Sequence, residues 1–154
     1  MMAVTGAASS RLRSAGPVVL GLALSVGIGA QERAWSAQAV EPIRFARGAW
    51  SAEVRGAVVR GERALYSVEA RGGQRMSLRI AAPERNAVFQ VYAPGAKVET
   101  NDSVVEVAGE ALPGAGEGDD ATRWTGVLPR TGAYILVVGP TRGNATYRLT
   151  VAVR

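Results

Sequence analysis

The stretch that most constrains the fold is residues 124–153, where two segments of alternating polar and apolar residues flank one short loop. Large apolar residues share one face of each segment: Tyr134, Leu136 and Val138 in the first, and Tyr147, Leu149 and Val151 in the second. A period of two is typical of an antiparallel strand with one buried face. The sequence PRTG at 129–132 predicts a tight turn in front of the first segment. This stretch therefore predicts a β-sheet protein.

Similar alternation recurs along the rest of the chain. It predicts strands over residues 49–54, 63–70, 74–80, 86–92, 122–128, 133–138 and 146–153, with a short strand entry at 43–45. Seven or eight strands about ten residues apart, without helical periodicity, are typical of an all-β antiparallel sandwich. Trp50 and Trp124 are interpreted as core or core-edge residues rather than as platforms for ligand stacking.

The N-terminal region has the features of a secretory signal and is kept out of the fold prediction. Arg11 and Arg13 form a basic start, and residues 15–30 are apolar and uncharged. A membrane-spanning helix usually needs about 20 apolar residues, so cleavage is favoured over a permanent anchor. The pattern Ala37-Gln38-Ala39 predicts a signal segment at 1–39 and an exported domain at 40–154. Cleavage after residues 34–36 and an uncleaved signal anchor, which would be the only membrane contact, are the alternatives.

Residues 96–120 differ in kind from the predicted strands. They carry an acidic excess, four glycines and a weak strand signal at 104–107. We expect a long surface loop with one edge strand, a kind of segment that is often functional or mobile. The acids lack the Asp-x-Asp-x-Asp-Gly spacing of a calcium loop, so the sequence EGDD at 117–120 is interpreted as a solvated turn. No metal site is predicted.

The residues needed for catalysis are missing or badly placed. The chain contains no histidine and no cysteine, which removes the commonest general base, the commonest metal ligand and any thiol nucleophile. A carboxylate pair of the glycosidase kind could be sought among Glu99, Asp102, Glu106 and Glu110. These residues lie in a glycine-rich segment that lacks the rigidity such a pair requires. The sequence therefore predicts a protein that is not an enzyme and that has no cofactor.

Charge is unevenly distributed along the predicted domain. Without residues 1–39 the chain has 15 basic and 12 acidic residues, a net charge of +3. Seven acids and no base lie between residues 98 and 120, whereas five arginines and no acid lie between 121 and 154. The arginines are spread singly along strands without interleaved aromatic residues, which argues against a nucleic-acid partner. A protein with an acidic surface is the favoured partner.

Four stretches in order resemble a known group of bacterial domains. They are LYSVEARGGQRMSLRI at 65–80, FQVYAPG at 89–95, WTGVLPRTGAYILVV at 124–138 and YRLTVAV at 147–153. Together they are similar to the pre-peptidase C-terminal type of jelly-roll domain and, within that group, to the periplasmic inhibitors of g-type lysozyme. The resemblance implies a jelly-roll-like β-sandwich and a periplasmic or secreted location.

The resemblance also implies a mode of action. Such inhibitors block the acidic cleft of the lysozyme with a loop between the last two strands, and that loop carries an arginine. The matching stretch here is Thr141-Arg142-Gly143-Asn144, so Arg142 corresponds to that arginine and these four residues are the predicted partner-binding site. The chemistry is suitable because a guanidinium donates charge-assisted, often bidentate, hydrogen bonds to carboxylates.

The chain departs from the family pattern in two places, which keeps other interpretations open. Its loop is shorter and has one arginine, and GERA at 61–64 takes the place of a tyrosine-rich turn. One alternative is a general interaction or structural module of the cell envelope, with another partner meeting the acidic segment or an exposed sheet face. Carbohydrate binding is a third possibility. Arg142 could also be an exposed hairpin residue without a function.

Overall fold

The computed structural model describes residues 39–101 and 104–154, and the predicted signal segment lies outside them apart from its last residue. Ten strands form the described part of the chain: β1 (Glu41–Pro42), β2 (Ser51–Val58), β3 (Ala64–Ala70), β4 (Arg75–Ala81), β5 (Ala87–Tyr92), β6 (Lys97–Asn101), β7 (Val104–Ala108), β8 (Arg123–Val127), β9 (Gly132–Pro140) and β10 (Ala145–Val153). A search of these residues finds no helix with the length and apolar character needed to cross a membrane.

Eight of the strands form two four-stranded sheets. Sheet 1 has the order β1-β3-β9-β5, and sheet 2 has the order β2-β10-β4-β8. All pairs are antiparallel except β1 with β3. From β2 to β5, and again from β8 to β10, each strand lies in the opposite sheet from the one before it, which is the winding of a jelly roll. The predicted antiparallel sandwich of seven or eight strands is confirmed, and β6 and β7 form a separate two-stranded sheet.

The core lies between the two sheets and is built by the faces that the sequence predicts. The inward residues of the central strands are buried: Met76, Leu78 and Ile80 on β4, Tyr134, Leu136 and Val138 on β9, and Tyr147, Leu149 and Val151 on β10. Full burial of such a side chain contributes about 1.5–3 kcal/mol. These residues belong to one contiguous cluster that also includes Phe89 and Val91 of β5.

Two buried tyrosines join the sheets at one end of this core. The hydroxyls of Tyr66 on β3 and Tyr147 on β10 lie 2.6 Å apart. Gly56 on β2 is the register partner of Tyr147. A Cβ at Gly56 would lie 2.5 Å from the Tyr147 hydroxyl, so the tyrosine pair requires a glycine there. Burial raises the pKa of both Tyr66 and Tyr147.

The turn before β9 is closed by a tyrosine. The Tyr134 hydroxyl donates to the Arg130 carbonyl over 2.6 Å and accepts from the Arg130 amide at 3.1 Å. Gly132, which begins β9, has a φ of 144°, a backbone conformation that favours glycine. The tight turn predicted from the sequence PRTG at 129–132 is therefore present.

The acidic segment is more ordered than the sequence predicts. The expected edge strand is present as β7, but β6 pairs with it as an antiparallel hairpin in which Val98 lies opposite Val107. The hairpin packs over the outer face of sheet 1, onto Leu65, Ile135 and Val137. A single surface loop is therefore the wrong description. The strand signal of β6 is weak because Val98 is its one apolar residue.

The chain after the hairpin covers the free edge of β5. The amide of Val91 donates to the Ala115 carbonyl, and the amide of Phe89 donates to the Ala121 carbonyl, at 2.8 and 2.9 Å. Leu112 and Ala115 are buried in the main core. This irregular segment satisfies backbone groups that a bare sheet edge would leave open to association.

The two described tryptophans differ in their surroundings. Trp124 on β8 packs against the core, and its indole nitrogen donates to the Pro113 carbonyl over 3.0 Å, as expected for a core-edge residue. Trp50 is 51% exposed, so its prediction as a core or core-edge residue is wrong. It lies just before the edge strand β2, and the Arg154 guanidinium stacks 3.5 Å above its ring.

Candidate partner-binding site

Three connections meet at one end of the sandwich and build the candidate site. They are residues 59–63 between β2 and β3, residues 82–86 between β4 and β5, and residues 141–144 between β9 and β10. The last of these holds the four predicted partner-binding residues, all of which are exposed. We call it the 141–144 loop. Its position between the last two strands agrees with the sequence prediction.

Asn86 anchors the 141–144 loop from below. It is 2% exposed, and its side-chain amide donates to the carbonyls of Arg142 and Asn144 at 3.1 and 2.9 Å. The backbone carbonyl of Asn86 accepts from the Thr141 amide at 2.9 Å. Three hydrogen bonds from one buried residue therefore fix both ends of the loop, which reduces the conformational freedom that it would lose on binding a partner.

Asn144 ties the loop to the connection between β2 and β3. Its side-chain oxygen accepts from the Arg60 amide at 3.0 Å. This contact brings residues 61–64, the stretch that replaces the family's tyrosine-rich turn, next to the 141–144 loop. The two sequence stretches that the resemblance connects with binding are therefore neighbours in space.

Arg142 lies at the tip of the loop with most of its donors unused. Its Nη2 donates to the backbone carbonyl of Glu84 over 2.9 Å. Within the described part of the chain it takes part in no salt bridge. A guanidinium has five N–H donors, so a single bond to a carbonyl orients the side chain and leaves its charge and its other donors for a partner. Gly143 beside it has a φ of 57°, in the left-handed region that favours glycine.

The end of the sandwich around Arg142 is rich in exposed arginine. Arg60 and Arg85 are exposed in the two adjoining connections. Arg85 has a φ of 51°, which is uncommon for a residue with a side chain and marks a tight turn after Pro83. Glu62 and Glu84 are the acids within the same connections. The local excess of positive charge favours approach to an acidic surface.

A depression borders the loop on the sheet 1 side. Its volume is about 370 Å³, and its polar lining includes Arg63, Gln90, Glu117, Asp120 and Thr141. Thr141 therefore stands between the arginine-rich end and a pocket with acidic walls.

A comparison with solved structures identifies relatives of the whole sandwich. PliG of Aeromonas hydrophila, a periplasmic lysozyme inhibitor of g-type lysozyme, is 30% identical to this chain, with a TM-score of 0.59 over 75% of this chain and 96% of that protein. The chain belongs to the family of periplasmic inhibitors of g-type lysozyme. This confirms the family suggested by the sequence and agrees with the prediction of a protein that is not an enzyme.

Two further inhibitors of g-type lysozyme are similar to the chain at lower identity. PliG of Salmonella Typhimurium is 22% identical over 73% of this chain and 96% of its own, with a TM-score of 0.50. A PliG mutant from Escherichia coli is 19% identical over 75% of this chain and 100% of its own, with a TM-score of 0.49. No protein-family profile and no curated protein sequence matches the chain.

Residue types that could hold a metal are not brought together in the described part of the chain. No group of three or more acids, histidines or cysteines with suitable geometry occurs there. Glu99 and Glu106, two of the carboxylates considered for a glycosidase-like pair, lie opposite each other on the exposed side of the β6–β7 hairpin. The hairpin covers sheet 1, and these two carboxylates lie on the outer surface of the hairpin, away from the 141–144 loop.

Sequence analysis missed Asn86 as a residue of this site. In the sequence it is the first residue of a predicted strand, and nothing in the alternating pattern separates it from an exposed turn residue. Its role depends on the 141–144 loop, which is more than 50 residues away in the chain.

Proposed function

We propose that this chain inhibits g-type lysozyme by inserting the 141–144 loop into the substrate cleft of the enzyme, with Arg142 as the principal contact. The observation that carries the proposal is an exposed arginine that is already oriented, on a loop fixed by the buried Asn86. Family membership supplies the class of partner.

The cleft of a lysozyme supports this choice because glycoside hydrolysis depends on carboxyl groups. An Arg142 guanidinium placed among them would make charge-assisted hydrogen bonds in a partly desolvated site. Truncation of one partner of a buried, hydrogen-bonded charge pair costs about 2 kcal/mol or more, which corresponds to a loss of about 30-fold in affinity. The arginine of the loop should therefore dominate the binding energy.

Arg60 and Arg85 are proposed to affect the rate of association rather than the lifetime of the complex. Both are exposed, and within the described residues neither side chain forms a salt bridge. Charges at the rim of an interface mainly raise the association rate and are screened by salt. We expect these two arginines to accelerate binding to an acidic cleft without contributing much to the lifetime of the complex.

We also propose that the inhibitor acts in the periplasm as residues 40–154, after cleavage of the signal segment at 1–39. The basic start at Arg11 and Arg13, the apolar run at 15–30 and the pattern Ala37-Gln38-Ala39 support this proposal. Mass spectrometry of protein recovered from the periplasm after expression of the full chain tests the cleavage site. A mass that corresponds to a chain beginning at Val40 supports the proposal, and a mass that includes residues 1–39 contradicts it.

A turnover assay tests the function. A g-type lysozyme is given cell-wall substrate in the presence of increasing amounts of the protein recovered from the periplasm. The proposal predicts a stoichiometric loss of lysozyme activity as the protein is added. Undiminished activity with a large excess of folded protein would rule out the inhibitor function.

A further inference from the structure

The outer face of sheet 2 is a basic surface on the opposite side of the domain from the acidic hairpin. Its outward positions carry five exposed arginines: Arg55 on β2, Arg75 and Arg79 on β4, Arg123 on β8 and Arg148 on β10. Glu53 on β2 is the acid on this face. We call this surface the arginine face.

Four of the five arginines lie directly opposite one another across the strands. Arg148 is the register partner of Arg55, and Arg79 is the register partner of Arg123. Like charges at opposed positions destabilise a sheet. Glu53 reduces the repulsion within one pair, because its carboxylate oxygen contacts Arg55 at 3.2 Å and Arg148 at 3.3 Å. The other pair has no salt bridge among the described residues.

Protection of sheet edges accounts for only part of this pattern. Proteins commonly place charges on edge strands to prevent association of sheets. Arg55 and Arg123 fit that explanation because β2 and β8 are the edges of sheet 2. Arg79 and Arg148 do not, since β4 and β10 are the two central strands. Edge protection therefore does not explain the two arginines on the central strands.

One end of the arginine face is apolar. Trp50 is 51% exposed and Val127 is 58% exposed, and both lie near Arg75, which is the register partner of Val127. Trp50 and Arg75 line a depression of about 240 Å³ together with the outward residues Ser77 and Ala152. The half-exposed indole therefore lies at the arginine face rather than in the core. The Arg154 guanidinium covers one side of the Trp50 ring, so less of the ring is free to stack on a nucleic-acid base.

From this arrangement we propose that the arginine face binds the headgroup region of a bilayer that contains anionic phospholipids. Basic side chains near such a surface are attracted to its negative potential, and tryptophan prefers the boundary between headgroups and acyl chains. The acids of the β6–β7 hairpin cover the opposite sheet, so the charge distribution favours one orientation on the membrane. The proposal does not depend on lysozyme inhibition. It gives the cleaved domain a membrane contact of its own, whereas the sequence predicts membrane contact only through an uncleaved signal segment.

A vesicle sedimentation experiment tests this proposal. Protein made from the full chain and recovered from the periplasm is mixed with vesicles of one part phosphatidylglycerol to three parts phosphatidylcholine, or of phosphatidylcholine alone. The test variant is Arg79→Gln/Arg148→Gln. The matched control is Arg71→Gln/Arg142→Gln, which removes the same charge from the two ends of the sandwich. Unfolding midpoints confirm that all three proteins are folded.

The proposal predicts binding to the anionic vesicles, little binding to the neutral ones, and weaker binding at high salt. Loss of each arginine should weaken binding about fivefold, so the test variant should bind about 25-fold more weakly. The control should lose less than about threefold, because its arginines lie off the face.

Two outcomes would overturn the proposal. The first is no binding of the unchanged protein to anionic vesicles; if a soluble polyanion such as heparin is then bound through Arg79 and Arg148, the face belongs to another class of partner. The second is an equal loss in both double variants, which would show a response to net charge alone. Lysozyme inhibition by the test variant should be unchanged in every case.

Discussion

The side-chain amide of Asn86 donates to the backbone carbonyl of Arg142 over 3.1 Å, so a buried residue immediately before β5 holds the exposed tip of the 141–144 loop. We expect Asn86→Ala to lower the free energy of unfolding by about 1–3 kcal/mol, because the carbonyls of Arg142 and Asn144 would lose their side-chain donor. It should also weaken lysozyme inhibition, since the loop is no longer fixed. Urea unfolding and the inhibition assay measure the two effects.

Asn144→Ala is the control for that variant. Asn144 is exposed and its side chain makes one hydrogen bond, to the Arg60 amide, so the loss of stability should be under about 1 kcal/mol. If Asn86→Ala were no more destabilising than Asn144→Ala, the anchoring role of Asn86 would be wrong.

Gly56→Ala should destabilise the protein because its Cβ would lie 2.5 Å from the Tyr147 hydroxyl. Overpacking of a close-packed core typically costs about 1–3 kcal/mol. The cost should fall below about 1 kcal/mol when Tyr147 is already replaced by leucine, which removes the crowded ring. A double-mutant cycle by urea unfolding measures this coupling. Additive effects of the two substitutions would show that the glycine is needed for another reason.

Stability should fall at high pH because of the buried tyrosine pair. Burial raises the pKa of Tyr66 and Tyr147 above the value of about 10 that they have in the unfolded chain. Above pH 10 the unfolded state therefore loses protons that the folded state keeps, and the free energy of unfolding falls by at most about 1.4 kcal/mol per pH unit for each tyrosine. Below pH 10 neither tyrosine contributes to the pH dependence.

The composition makes this alkaline effect easy to observe. The chain has no histidine, no cysteine and one lysine, so few other side chains titrate between pH 6 and 10. Urea unfolding at half-unit steps from pH 8 to 11 should show a plateau followed by a decline. In the double variant Tyr66→Phe/Tyr147→Phe, the decline in the free energy of unfolding above pH 10 should be shallower. An unchanged decline would show that other groups cause the loss of stability.

The β6–β7 hairpin should detach from sheet 1 when a charge is placed on its inner side. Val107 is packed against Leu65, Tyr92, Ile135 and Val137, so Val107→Asp should expose this apolar face. We expect increased binding of a hydrophobic dye and faster amide exchange in β6 and β7. Val104 is 54% exposed on the same strand, and Val104→Asp should change neither property. Equal responses from the two variants would contradict the packing described for the hairpin.

Alternation made most of the sandwich predictable from the sequence. Met76, Leu78 and Ile80 could be assigned to one face because a strand with one buried side must place apolar residues at every second position. The same rule failed for β6, whose sequence KVETN has a single apolar residue, since the hairpin covers a sheet and contributes little to the main core.

Within the candidate site, only the loop that could be matched to the family was predictable from the sequence. Arg142 was found because its loop lies between two strongly patterned strands that could be matched to the family. Asn86 and the Glu84 carbonyl could not be found, since each acts through a contact between residues more than 50 positions apart. Likewise, alternation places Arg79 and Arg148 on exposed faces, but only the strand order shows that they share the arginine face.

Comparison of Arg142→Ala with Arg71→Ala in the lysozyme assay tests the central claim most directly. Both arginines are exposed in turns, and Arg71 lies at the opposite end of the sandwich. If the loop enters an acidic cleft, Arg142→Ala should raise the inhibition constant by about 30-fold or more, while Arg71→Ala leaves it within about twofold. Equal inhibition by the two variants would contradict the claim that Arg142 makes the decisive contact.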